Sequence, residues 1–95
     1  AHFAAGRYRE AAECAKQSIA LGAPLFMAWF ALAASQAHLG GVAEATASLR
    51  KGEVRTGGML TASVFRRMFS YWHPDLLERY LDGLRKAGLP EGTEA

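Results

Sequence analysis

Apolar residues recur at helical spacing along most of this chain, and glycines or prolines interrupt the pattern between segments. Intervals of three and four residues between apolar positions are typical of amphipathic α-helices. The pattern predicts helices over about residues 8–21, 25–39, 42–51, 62–70 and 74–87, preceded by the end of a helix at residues 1–5. It predicts a loop over residues 52–59, where three glycines interrupt the periodicity.

The second predicted helix is apolar nearly all round, whereas the first has one polar side. Only Ser35, Gln36 and His38 interrupt the apolar sequence of this second helix. A helix that is apolar on every side is normally buried. We therefore expect it to be the most buried element of the fold.

Local signals mark the ends of the two C-terminal helices. Thr61 is a typical N-cap residue, and Pro74 suits the first helical position, where a backbone N–H would have no partner. Gly88 suits the left-handed residue of a Schellman ending, in which Leu89 folds back on the last turn. The last helix also carries two charge pairs at i,i+4 spacing, Asp75 with Arg79 and Asp82 with Lys86.

Two stretches of the chain repeat at an offset of 34 residues. The six residues from Gly6 match the six residues from Gly40 in their glycine, glutamate and alanine positions. Apolar residues follow the same offset in the pairs Tyr8 and Val42, Ala15 and Leu49, and Ala20 and Val54. A period in this range is typical of stacked helical units that cannot bury their apolar faces alone.

This repeat resembles the tetratricopeptide repeat. Trp29-x-x-Leu32-Ala33 stands where that family has W-x-x-L-G, and Leu39-Gly40, Glu44-Ala45 and Leu49 match its turn, its small residue and its large apolar residue. The departures are a late Pro24, Gln36 in place of a tyrosine, and the lack of a proline after the second repeat. Another kind of Ala-rich antiparallel helix bundle is the alternative.

The resemblance implies an all-α fold, a fragment of a right-handed α-solenoid built from antiparallel helix pairs. Residues 1–54 would form one partial and one complete repeat. A further shift by 34 fails, since Trp29 maps onto Ser63 and Ala45 onto Arg79. We therefore expect residues 55–90 to form a divergent capping helix pair, which a solenoid needs at its end, and residues 91–95 to be a frayed tail.

The C-terminal third carries a second resemblance, through Phe65-Arg66-Arg67, His73-Pro74-Asp75-Leu76-Leu77-Glu78-Arg79-Tyr80-Leu81 and the sequence from Gly83 to Glu91. These segments look like the end of the tetratricopeptide region in bacterial class III adenylate or guanylate cyclases and related multidomain regulators. The resemblance implies a regulatory or docking part of a signalling protein. No residue here matches the metal or nucleotide motifs of the cyclase domain.

Composition limits the classes of function. The chain has 95 residues, a net charge of +2 and one cysteine, Cys14. The mixture of acidic and basic residues argues against a nucleic-acid-binding protein. A lone cysteine, no signal peptide and no long apolar run predict a cytoplasmic protein with no membrane contact. The chain opens at Ala1 on the end of a helix, so we expect a piece of a longer protein.

The sequence predicts no catalytic residue, no metal site and no cofactor. The histidines, His2, His38 and His73, are far apart in sequence, and Cys14 lacks a second cysteine at metal-ligand spacing. Because Cys14 lies among alanines, we expect a buried, inert thiol. His73 before Pro74 is interpreted as a helix-start residue. The glycines of residues 52–58 lack the G-K-[ST] ending of a phosphate loop, so we do not expect an enzyme.

The tetratricopeptide resemblance implies a groove lined by the first helix of each repeat. Position by position, its residues here are Met27, Phe30, Ala34, Ala37 and His38. The lysine and asparagine positions of the family's carboxylate clamp hold apolar residues in this chain. Such a groove fits an amphipathic helix, with Met27 and Phe30 as anchors. The alternative is that these side chains pack against the capping helices.

A second candidate surface is basic and consists of Arg50, Lys51, Arg55, Arg66 and Arg67. If it bound nucleic acid, the affinity would fall steeply with salt. The alternative is a solvated face with cations near helix ends.

Three functions remain open from the sequence. The first is an adaptor that binds a protein or peptide segment, or a second copy through the incomplete N-terminal edge. The second is a purely structural cap whose partner is the preceding repeats of the same chain. The third is a nucleic-acid-binding helical domain of a transcriptional regulator.

Overall fold

The computed structural model describes residues 3, 5–22, 26–57 and 61–92, and these residues form α-helices without any strand. The helices are α1 (Tyr8–Ala20), α2 (Phe26–His38), α3 (Val42–Thr56), α4 (Ala62–Met68) and α5 (Pro74–Ala87). The all-helical class predicted from the periodicity is confirmed for this part of the chain.

Helix α2 lies at the centre of the arrangement. It packs against α1, α3 and α5, and α5 also contacts α3 and α4. No residue from Met27 to His38 is exposed. The helix that is apolar nearly all round is therefore largely buried between its neighbours, although its Trp29 side is only half-buried.

One large hydrophobic core contains residues of α2, α3, α4 and α5, and a smaller core contains residues of α1 and α2. The largest apolar side chains without exposed surface are Phe30, Leu49, Phe65, Leu81 and Leu84. Ala12 and Ala15 of α1 form the smaller cluster with Leu32 of α2. Because alanines supply most of the α1 contribution, α1 buries little apolar area and depends on α2 for its packing.

Small residues set how closely the helices approach α2. Ala45 of α3 has no exposed surface. A Cβ added at Gly52 would lie 2.9 Å from Phe30 Cε1, and one at Gly83 would lie 2.7 Å from the Ala34 carbonyl oxygen. Real Cβ atoms almost never come so near to other heavy atoms. The approaches of α3 and α5 to α2 therefore require glycine at these two positions.

The starts of α4 and α5 agree with their sequence signals. The Thr61 hydroxyl oxygen accepts a hydrogen bond of 3.4 Å from the backbone N–H of Val64. Pro74 occupies the first turn of α5, and His73 Nδ1 accepts a hydrogen bond of 3.2 Å from the backbone N–H of Asp75. Each side chain satisfies a backbone donor that the helix itself leaves unpaired.

The end of α5 is the predicted Schellman motif. Gly88 is left-handed, with φ of 109°. Its N–H donates to the Arg85 carbonyl oxygen at 2.9 Å, and the N–H of Leu89 donates to the Leu84 carbonyl oxygen at 2.9 Å. Leu89 is buried, so the chain folds back onto the core after the helix ends.

The loop predicted over residues 52–59 is wrong for its first five residues. Helix α3 continues to Thr56 and ends at the left-handed Gly57. Gly52 is buried inside the helix against Phe30 and Trp29 rather than in a turn. Residues 58 and 59 lie outside the described part of the chain. The domain boundary drawn after residue 54 falls within the last turn of this helix.

The segment after α5 returns to the start of α4. The Pro90 carbonyl accepts the N–H of Ala62 at 2.8 Å, and the Glu91 carbonyl accepts the N–H of Ser63 at 2.9 Å. These bonds pair two backbone donors in the first turn of α4. The predicted frayed tail is thus held at Glu91, whereas residues 93–95 lie outside the described residues.

Candidate protein-binding surfaces

The groove predicted from the repeat is covered in this structure. Phe30 and Ala34 have no exposed surface, and Ala37 is 4% exposed. All three belong to the core that includes Leu81 and Leu84 of α5. The backbone of Gly83 crosses directly over Ala34, so no partner helix could lie along these residues unless α5 moved. Met27, half-buried, packs at the margin of the same core.

His38, the last residue of the predicted groove, links α2 to α5 and α1. Its Nε2 lies 2.7 Å from the Arg79 carbonyl oxygen. Because a carbonyl only accepts, Nε2 carries the proton. The imidazole also stacks on the Tyr8 ring at 4.6 Å between centroids. Arg79 donates to the Tyr8 hydroxyl at 3.2 Å and to the Phe3 carbonyl at 3.3 Å, which closes the cluster.

Tyr80 lies beneath this cluster with its hydroxyl in an apolar environment. Its ring is 5.2 Å from that of Phe65 and 5.3 Å from that of Trp72. Within the described residues the hydroxyl has no hydrogen-bond partner. Burial raises the pKa of the Tyr80 hydroxyl far above its ordinary value. A neutral phenol with no partner is a packing group, since proton transfer requires a neighbour within hydrogen-bond distance.

The five predicted basic residues lie on two different helices. Arg50, Lys51 and Arg55 lie on α3, whereas Arg66 and Arg67 lie on α4, and the backbones of these two helices make no contact within 8 Å. Arg50 pairs with Glu53 at 2.5 Å, and Arg66 pairs with Glu78 at 3.2 Å. Two of the cations are thus partly neutralised by neighbouring carboxylates.

Lys51 and Arg55 instead border an open cleft between α2 and α3. The cleft has a volume of about 390 Å³ and is lined by Trp29, Lys51, Val54 and Arg55. Lys51 Nζ lies 5.1 Å from the centroid of the Trp29 ring, within the range of a cation–π contact. Val54 is 82% exposed, although the repeat pattern pairs it with Ala20 as an apolar position. We call this feature the Trp29 cleft.

A second open depression of about 420 Å³ lies on α5 and is lined by Asp75, Glu78, Arg79 and Asp82. The carboxylate of Asp82 lies 3.7 Å from Arg85, three residues on. The ion pair predicted between Asp82 and Lys86 is not formed among the described side chains. The depression carries three carboxylates. Arg85 lies near two of them, Asp82 and Glu78, and Arg66 also pairs with Glu78.

Cys14 is exposed, which contradicts the buried thiol expected from its alanine neighbours. The α1 face that packs on α2 contains Ala12 and Ala15, and Cys14 lies outside that stripe. His73 caps α5 through its ring, in agreement with its interpretation as a helix-start residue. His2 lies outside the described residues. In the described ranges, no three His, Cys, Asp or Glu side chains lie close enough to share a metal ion.

The Trp29 cleft was missed by the sequence analysis. Trp29 matches the repeat signature, which gives no sign that its side chain is only half-buried. Lys51 and Arg55 were assigned to a wider basic surface. The i,i+4 spacing of Lys51 and Arg55, with apolar Val54 between them, indicates one mixed surface if all three residues lie on a helix. The sequence prediction ends that helix at residue 51, so it does not place them together.

Comparison with known proteins adds no relative, because no family model, curated protein or solved structure matches this chain. Among the described helices, none combines the length and apolar character required to cross a bilayer.

Proposed function

We propose that this chain is a non-catalytic protein-interaction domain of the tetratricopeptide type, the C-terminal regulatory part of a larger bacterial signalling protein such as a nucleotidyl cyclase. The observation that carries the proposal is the burial of the residues that match the repeat signature. Ala33, Ala45 and Leu49 have no exposed surface. The small side chains of Ala33 and Ala45 allow the close approach between helices that the repeat requires.

The order of helix contacts supports a stack of successive helices, and the repeat resemblance is the basis for proposing a right-handed solenoid of antiparallel pairs. Helix α2 packs on α1 before it and on α3 after it, which is how successive elements of a repeat array stack. The pair α4 and α5 serves as the cap in this proposal, since α5 covers apolar surface of both α2 and α3. We place the protein in the cytoplasm, where a single cysteine needs no partner.

A purely structural cap is the second candidate, and the covered groove favours it. Phe30, Ala34 and Ala37 would then serve only to hold α5, and the partner would be the preceding repeats of the same chain. A nucleic-acid-binding role has less support, because the predicted basic residues are divided between two helices.

The two candidates differ in whether the isolated domain binds peptides. An array of short peptides with varied charge and hydropathy should contain segments that bind the domain, and nuclear magnetic resonance titration should then give a saturable one-to-one complex. Sedimentation of the same protein measures whether a second copy binds. If no peptide binds and the protein is monomeric, the interaction function is rejected and the structural cap is supported.

A further inference from the structure

We propose that the Trp29 cleft binds an acidic protein segment that carries an apolar side chain next to its carboxylates. The proposal rests on the interaction function above and names both the surface and the chemistry of its partner. The surface lies outside the groove that the repeat resemblance implies, because α5 already covers that groove.

The Trp29 ring forms the floor of the cleft. Trp29 packs against the small core of Ala12, Ala15 and Leu32. From α3, the backbone at Gly52 approaches so closely that a Cβ there would lie 3.1 Å from Trp29 Cβ. The base of the Trp29 side chain is therefore held against α3 and the side chain packs on the small core before any partner arrives, which lowers the entropy cost of binding. Tryptophan is also among the residues that contribute most to protein interfaces.

The rim of the cleft is cationic and available. Among the described residues, no carboxylate lies within 4.0 Å of the Lys51 amine or the Arg55 guanidinium. The nearby Arg50 differs, because Glu53 already pairs with it. Two unneutralised cations one helical turn apart favour carboxylates in the partner. An amide or a cation in the same place would gain no such attraction.

The exposure of Val54 is the reason to expect an apolar side chain in the partner. Its side chain is 82% exposed and borders the same cleft as the two cations. A single exposed valine is common on protein surfaces and does not by itself indicate a binding site. Val54, however, lines the same cleft as the Trp29 indole, so the two side chains together present apolar surface to a partner. A partner leucine or phenylalanine could cover Val54 and the Trp29 ring while adjacent carboxylates reach Lys51 and Arg55. The cleft volume of about 390 Å³ accommodates side chains of this size.

The test uses the whole chain and three acetylated peptides of equal length. The first alternates glutamate with leucine, the second replaces glutamate by glutamine, and the third replaces it by lysine. Binding is followed through the indole N–H resonances of the two tryptophans, assigned with Trp29→Phe. We expect the glutamate peptide to shift the Trp29 signal and to bind about tenfold or more tightly than the glutamine peptide, because two charge contacts are lost.

Variants separate the cleft from general electrostatics. The double variant Lys51→Glu/Arg55→Glu should lose about tenfold or more in affinity for the glutamate peptide, since it reverses both rim charges. Arg67→Glu is the matched control, an exposed arginine on α4 that should leave affinity unchanged. Val54→Ser should weaken binding several-fold without altering the salt dependence. These side chains are exposed, so the variants should fold, which circular dichroism verifies.

Several outcomes would overturn the proposal. Equal binding of the glutamate and glutamine peptides would reject carboxylate recognition, and shifts confined to residues away from Trp29 would reject the site. Competition by a single-stranded oligonucleotide would identify a nucleic acid as the ligand. A dimer that Lys51→Glu/Arg55→Glu dissolves would show that a second copy occupies the cleft. If the array peptides bind elsewhere while the cleft binds none, this inference fails but the interaction function remains.

Discussion

Gly83 is the position at which α5 lies closest to α2, and replacing it by alanine tests whether α5 covers the predicted groove. The added Cβ would lie 2.7 Å from the Ala34 carbonyl oxygen and 2.9 Å from Ala34 Cα. Both are backbone atoms inside α2, so no side-chain rotation can relieve the contact. The substitution requires α5 to move away from α2.

Two effects of opposite sign determine the change in the free energy of unfolding. Alanine is favoured over glycine within a helix by about 1 kcal/mol. Overpacking of a dense core costs about 1–3 kcal/mol, and rigid backbone neighbours place Gly83 towards the upper end. We therefore expect Gly83→Ala to lower the free energy of unfolding by about 1–2 kcal/mol. For a domain of this size, each kcal/mol lost lowers Tm by roughly 4–8 °C.

Urea unfolding followed by circular dichroism measures the difference. Ala47→Gly is the control for helix propensity, because Ala47 is an exposed residue within α3, and it should lose about 1 kcal/mol. If Gly83→Ala were as stable as the parent, or more stable, α5 would not approach α2 at the observed distance. The groove residues Phe30, Ala34 and Ala37 would then be open to a partner helix.

Three further substitutions test the packing and the caps. Tyr80→Phe should raise the free energy of unfolding by about 1 kcal/mol by removing a buried hydroxyl without a partner, whereas the exposed Tyr71→Phe should change little. Because the pKa of Tyr80 is raised in the folded protein, only the unfolded chain loses the phenol proton above about pH 10. The free energy of unfolding should therefore fall above that pH more steeply in the parent than in Tyr80→Phe. A loss of stability in Tyr80→Phe at neutral pH would indicate that the hydroxyl has a hydrogen-bond partner. Gly52→Ala should lose stability in urea unfolding, but less than Gly83→Ala, because its nearest neighbour is a side-chain ring; a gain of about 1 kcal/mol would contradict the contact. Thr61→Ala should lower the free energy of unfolding by about 0.5–1 kcal/mol while Thr61→Ser retains it, and equal losses in both would show that the hydroxyl does not cap α4.

Helix ends were predictable where the signal is local. Thr61 and Gly88 act through hydrogen bonds to residues three positions away, and Pro74 suits the first turn of α5 because it has no backbone N–H, so the local sequence is sufficient to predict them. The end of α3 was not predictable in this way. Gly52 disfavours a helix by its own propensity, and only the contact with Phe30, distant in sequence, explains its presence in α3. Tertiary packing therefore overrode the local preference.

The candidate surfaces show the same division between local and distant causes. The repeat resemblance places Phe30, Ala34 and Ala37 on one face of α2, but it contains no information about which helix covers that face, and in the structure all three belong to the core that includes α5. The exposure of Cys14 was missed because alanine neighbours do not indicate which side of α1 packs on α2.

The position of α5 also determines which side of α2 is open. Helix α2 has two sides suited to contact, one marked by Ala34 and the other by Trp29. Gly83 brings the α5 backbone against the first side at a distance that excludes any additional segment. On the second side, an open cleft is lined by Trp29, Lys51, Val54 and Arg55, and the Lys51 amine lies over the indole at 5.1 Å from its centroid. Because two bulky elements cannot share the Ala34 side, the presence of α5 there leaves the Trp29 cleft as the side of α2 on which the partner we propose would bind.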